Sequence, residues 1–123
     1  MFASSVLGKA ALTETPPAVA VLVGLLAHIV GSAVMGIGYG LLSSRLSRGS
    51  RRSFGVQAAL GMAYGIGLWL LNIQILGRAF VPWFLETSQV QQILMHALFF
   101  GLPLGLLSAA AERRAGDTLK IQP

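Results

Sequence analysis

The stretch PAVAVLVGLLAHIVGSAVMGIGYGLL, from Pro17 to Leu42, contains no Asp, Glu, Lys or Arg. A helix rises about 1.5 Å per residue, so about 20 mostly apolar residues cross a hydrocarbon core of about 30 Å. This stretch is long enough to do so. Two further stretches repeat the pattern, FGVQAALGMAYGIGLWLLNIQIL from Phe54 to Leu76 and VQQILMHALFFGLPLGLLSAA from Val90 to Ala110. Around them the charge-free windows extend over residues 15–44, 53–77 and 87–111, and all nine Lys/Arg and four Asp/Glu lie outside those windows. A water-soluble domain needs polar residues on the outer face of every helix, so this distribution excludes one. It predicts an all-α integral membrane bundle of three transmembrane helices, about 17–42, 54–76 and 90–110, in a single membrane domain covering residues 1–123. Pro16 and Pro17 suit a helix start, where a missing N–H costs nothing. Pro103 lies within the third span and is expected to kink it or open its hydrogen-bond ladder.

The charges between the spans set an orientation. Arg45, Arg48, Arg51 and Arg52 lie in the loop 43–53, and Arg113, Arg114 and Lys120 in the tail 111–123, against Lys9 and Arg78 elsewhere. Basic residues near span ends stay in the cytoplasm, which predicts an N-out, C-in topology in a bacterial inner membrane. A net charge of +5 carried in short segments beside apolar runs does not form a nucleic-acid-binding face. No cysteine is present, so disulfides, thiolate chemistry and iron–sulfur ligation are excluded within the chain. The four acidic residues, Glu14, Glu86, Glu112 and Asp117, border the spans, and neither a Ser-His-Asp set nor a phosphate loop occurs. An enzyme is not expected, nor a bound metal.

Helices in lipid associate where small residues let backbones approach, and the small-xxx-small spacing occurs in every span: Gly36 with Gly40, Gly61 with Gly65, and Gly101 with Gly105. These pairs are expected to be the packing faces, with a second protomer or a larger membrane complex covering the stripe on the third span. Ala33 to Gly40 (AVMGIGYG) and Ala58 to Gly65 (AALGMAYG) match at several positions, a weak internal repeat. Counting helical rise from the basic ends places His28, Asn72 and His96 about 24 to 30 Å away, within roughly one turn of each other. Such a polar level marks a hydrogen-bonded cluster or a binding site. On an α-helical wheel His28 and Asn72 face each other, while His96 lies about 140° from Gly101. Between the second and third spans, Phe80, Pro82, Trp83 and Phe84 have the character of an interfacial anchor.

The run YGIGLWLLNIQILGRAFVPWFLETSQVQQILMHALFFGLPLGLL, with Gly65, Asn72, the Phe80, Pro82, Trp83, Phe84 group, His96 and Gly101, resembles a group of small bacterial multi-pass inner-membrane proteins of uncharacterised activity, some carrying the label sodium:proline symporter. LLAHIVGSAVMGIGYGLL, with His28, is similar to the preceding span of that group, and the likeness extends loosely over residues 5–110. Members have four spans, one of them before a stretch like Val6-Leu7-Gly8; the resemblance therefore implies either three crossings here or a further one upstream. It implies an integral membrane protein, and a chain this short lacks the long discontinuous-helix bundle of symporters. Three readings follow from the residues. The first is a structural or accessory subunit packed through glycine faces. The second is a small-solute or proton carrier using His28, Asn72 and His96. The third is a membrane subunit holding haem b between His28 and His96.

Overall fold

The computed structural model describes Leu7, Gly8 and residues 16–118. Lys9, Glu14 and Lys120 lie outside the described residues. Among the described residues, three helices are long and apolar enough to cross a membrane: α1 (Pro17–Ser44), α3 (Phe54–Phe80) and α4 (Gln89–Thr118). A short helix α2 (Arg48–Arg52) precedes α3, and a 3₁₀ turn over Pro82–Glu86 joins α3 to α4. No strand occurs among the described residues.

The helix ends follow from local chemistry. Pro16 caps α1 with an extended backbone and Pro17 opens it. Ser47, Ser53 and Ser88 each accept a bond from the backbone N–H three residues on, which caps α2, α3 and α4 in turn. At the other end of α3, Val81 leaves helical geometry at φ −138 and ψ 59, as its place before Pro82 favours. Two segments depart from the expected outline. The basic loop 43–53 contains the helix α2, and the expected tail continues α4 as far as Thr118. Ala, Glu and Arg after residue 109 are good helix formers, and ion pairs from Arg51 to Glu112 and from Arg52 to Asp117, both at 3.2 Å, tie the extension to α2.

The tightest packing is between α3 and α4. A Cβ placed on Gly61 would overlap the carbonyl oxygen of Gly101, and one on Gly101 would overlap that of Gly61. Gly105 stands in the same way against the Gln57 carbonyl, and Gly65 against that of His96 with the Ala97 Cα at 3.0 Å. Gln57–Gly105, Gly61–Gly101 and Gly65–Ala97 thus pair at every fourth residue, in opposite directions along two antiparallel helices. The buried positions of α4 are Ala97, Gly101, Gly105 and Ala109. A four-residue step drifts by about 40° in a regular α-helix. From Met95 to Gly101, however, α4 is π-helical, with bonds of the i→i+5 type such as Leu102 N–H to the Ala97 carbonyl. That wider turn drifts the other way and keeps Ala97 on the face of Gly101. It ends just before Pro103, which supplies no N–H to a tighter ladder. A second π segment, Leu70–Gly77, interrupts α3 without a proline.

The first span packs differently. Nothing lies within 4 Å of a Cβ built on Gly36 or Gly40, so the motif expected to pack α1 faces no part of the described chain. The reason lies in the tyrosines. Tyr39 and Tyr64 meet edge to face at 5.4 Å between ring centroids, and that ring pair holds α1 off α3. The glycine that accommodates this contact is Gly38, where a Cβ would come within 2.7 Å of the Tyr64 hydroxyl. The third span shows the reverse correction: its Gly101 and Gly105 stripe, expected to await a partner protein, is filled by α3.

Candidate functional site

Among the described residues the bundle holds three hydrogen-bonded polar regions, and the most enclosed is not the one expected. Gln57 is 0% exposed, Tyr39 1% and Ser43 3%. The Gln57 amide nitrogen donates to the Ser43 hydroxyl at 2.9 Å, and the Tyr39 hydroxyl donates to the Gln57 side-chain oxygen, with the Gln57 backbone carbonyl at 3.2 Å. Tyr64 donates to the Met35 carbonyl at 2.7 Å. Both ends of the Gln57 amide are therefore engaged by α1, and these bonds offset the burial cost of its polar atoms. The cluster fastens α1 to α3 one turn in from the basic end. The internal repeat held a signal for it, since Tyr39 and Tyr64 occupy equivalent places in AVMGIGYG and AALGMAYG.

The expected polar level of His28, Asn72 and His96 is not enclosed. His28 is exposed, and Asn72 and His96 are half-buried. Gly61 and Gly65, on the stripe meant to bring Asn72 toward α1, are instead turned to α4. The Nδ1 of His96 lies 2.8 Å from the Gln92 carbonyl oxygen one turn back, and because a carbonyl only accepts, Nδ1 carries the proton in that bond. The α-helical wheel also misplaces His96. Across the π segment the backbone bonds reach five residues rather than four, and the His96 carbonyl comes to within 3.2 Å of a Cβ on Gly101 and touches Gly65. For haem b, an enclosed gap must receive both imidazoles. His28 does not open into one: its side chain is exposed, and the buried residues of its helix are Gly24, Tyr39 and Ser43. The residues do not fit that cofactor, and no chemistry is derived through it.

A longer polar chain lies near the α3–α4 turn. Arg78 donates to Gln74 at 3.0 Å, Gln74 to Gln89 at 2.7 Å, and Gln89 to the carbonyls of Leu85 and Thr87 at 3.2 and 3.0 Å. Gln92 donates to the Thr87 hydroxyl at 3.2 Å. This chain joins the ends of two helices across their connecting turn and closes the hairpin. Glutamines scattered among apolar residues gave no periodic signal for it. Among the aromatic group, Phe80 is 74% exposed, Pro82 opens the 3₁₀ turn, and Trp83 and Phe84 are half-buried.

The third region is the basic end. Arg113 donates its Nε to the Arg52 carbonyl at 2.6 Å and lays its guanidinium over the Phe54 ring at 4.3 Å from the centroid. Arg52 reaches Asp117 at 3.2 Å. Gly49, Arg52, Ser53, Arg113 and Asp117 line an open cleft between α2 and the end of α4. Arg45, Arg48 and Arg114 stand exposed around it. No group of three or more His, Cys, Asp or Glu able to hold a metal ion occurs among the described residues. Comparison with protein-family models, with curated proteins and with solved structures returned no match to this chain.

Proposed function

We propose that this chain is a structural or accessory subunit of a bacterial inner membrane, in which a tight α3–α4 hairpin holds α1 as the helix that meets lipid and partner proteins. One observation carries the reading. The most deeply buried polar side chain, Gln57, has its amide committed on both sides, to Ser43 and to Tyr39. A carrier keeps polar groups available to its solute, whereas these are used to join helices. The glycine contacts between α3 and α4 support the same reading, because backbones so close leave no room between them for a passing solute. With Val21, Val30, Ile37 and Leu41 exposed, α1 has surface to offer a partner, including Gly36 and Gly40.

The orientation proposed is N-out, C-in. It is supported by Arg45, Arg48, Arg51, Arg52, Arg113 and Arg114 at one end of the bundle and Arg78 at the other. The competing reading, a proton or solute carrier using His28, Asn72 and His96, is separated by proteoliposomes loaded with a pH-sensitive dye. The subunit reading expects no proton flux above empty vesicles, and Gln57→Leu to lower folded yield more than His28→Ala, Asn72→Ala or His96→Ala. Flux that disappears in His96→Ala at undiminished yield would replace it with the carrier.

A further inference from the structure

We propose that the cleft at the basic end binds the phosphate headgroup of an anionic phospholipid, with Arg52 and Arg113 as its ligands. The proposal needs only that α1, α3 and α4 span a bilayer, and it holds for either orientation and for any role of the bundle.

Three features of the cleft lead there. Its walls, Gly49, Arg52, Ser53, Arg113 and Asp117, contain two guanidiniums against one carboxylate. Guanidinium is the side chain best matched to phosphate, since its planar fork offers paired N–H donors. Both arginines are held in place by the fold: Arg113 by its Nε bond to the Arg52 carbonyl and its stacking on Phe54, Arg52 by its contacts with Asp117 and, at 3.5 Å, with the Arg113 carbonyl. A ligand therefore meets donors that have already lost much of their side-chain freedom. Asp117 is the anion that now occupies Arg52, and with 67% of its side chain exposed it has room to turn into water when a phosphate arrives.

The surface next to the cleft selects a lipid over free phosphate. Phe54, 41% exposed, lies under the Arg113 guanidinium at the start of the charge-free run that begins with Ser53. An occupant with its phosphate between the arginines would lay an apolar tail past this ring into the bilayer. Inorganic phosphate leaves that surface uncovered. Basic pockets where spans meet the interface recognise anionic headgroups in this way, and each arginine near the surface is worth about fivefold in binding.

The test uses the full chain in neutral detergent, titrated with short-chain phosphatidylglycerol, phosphatidylcholine or inorganic phosphate, and counts bound molecules by native mass spectrometry. One phosphatidylglycerol should be retained in preference to phosphatidylcholine, and inorganic phosphate at equal concentration should not displace it. Arg52→Gln and Arg113→Gln should each weaken binding about fivefold and together about 25-fold. Arg114→Gln, outside the cleft, should change it less than twofold. Asp117→Asn removes the competing anion and should strengthen binding, which keeps the proposal testable should the arginine variants fail to fold. Equal retention of both lipids, displacement by inorganic phosphate, an Arg114→Gln loss as large as that of Arg52→Gln, or unchanged binding in Asp117→Asn would each overturn it.

Discussion

Gly61 and Gly36 occupy the same place in two copies of one short motif, yet alanine at the two positions should act in opposite directions. At Gly61 the new methyl would overlap the Gly101 carbonyl, with Gly105 N at 3.1 Å behind it. These are backbone atoms and cannot rotate aside, so the cost belongs near the top of the overpacking range, about 3 kcal/mol. Alanine's better helix propensity returns about 1 kcal/mol, for a net destabilisation of about 2 kcal/mol. At Gly36 nothing lies within 4 Å, and only the propensity gain of about 1 kcal/mol remains. The two variants should differ by about 3 kcal/mol, which is roughly a hundredfold in the unfolding equilibrium. Unfolding in mixed micelles of mild detergent and dodecyl sulfate, followed by helical circular dichroism, measures this directly. Equal destabilisation by both substitutions, or a tolerated Gly61→Ala, would refute the packing described. Destabilisation of Gly36→Ala that appears only in native membranes would instead identify a partner seated on α1.

Other outcomes follow from the polar contacts. Gln57→Leu keeps volume but removes the bonds to Ser43 and Tyr39, and by the usual worth of such bonds in membrane proteins it should cost about 1 kcal/mol in the same unfolding assay. Because the His96 ring bonds its own helix at Gln92, His96→Ala should lower stability by less than about 1 kcal/mol, and a larger loss in the melt would show that the ring links helices. The Arg52–Asp117 pair is largely exposed, so Asp117→Asn should change stability by less than about 1 kcal/mol, with the small difference vanishing at high salt.

The spans were legible because lipid imposes a coarse requirement, a long run without charge, that Pro17–Leu42 and its two counterparts meet without ambiguity. Which faces meet was much less so. Gly-x-x-x-Gly states that a backbone can be approached, not what approaches it, and Gly36–Gly40 and Gly61–Gly65 are alike in sequence while one is open and the other filled. The polar level is dispersed for a geometric reason. A regular α-helical wheel does not hold across the two π segments, and in MHALFFG only the following Pro103 gives any sign of the wider turn, while LLNIQILG gives none. The repeat aligns Tyr39 with Tyr64, whose rings meet, but glycine spacing carries no sign of the Tyr39–Gln57–Ser43 bonds. The helical extension to Thr118 draws on the helix-forming Ala, Glu and Arg after residue 109, while its ion pairs to α2 are contacts between segments that no local pattern displays.

Since the chain has no cysteine, single substitutions can report which side of a membrane each segment occupies. Ser50→Cys in α2, Thr87→Cys after the 3₁₀ turn and Ile66→Cys in the middle of α3 would be treated in intact cells with a maleimide that does not cross lipid. The proposed N-out, C-in bundle predicts labelling of the Thr87 variant from outside, of the Ser50 variant only after permeabilisation, and of the Ile66 variant in neither case. Labelling of the Ser50 and Thr87 variants from the same side, or a reactive Ile66 variant, would contradict it.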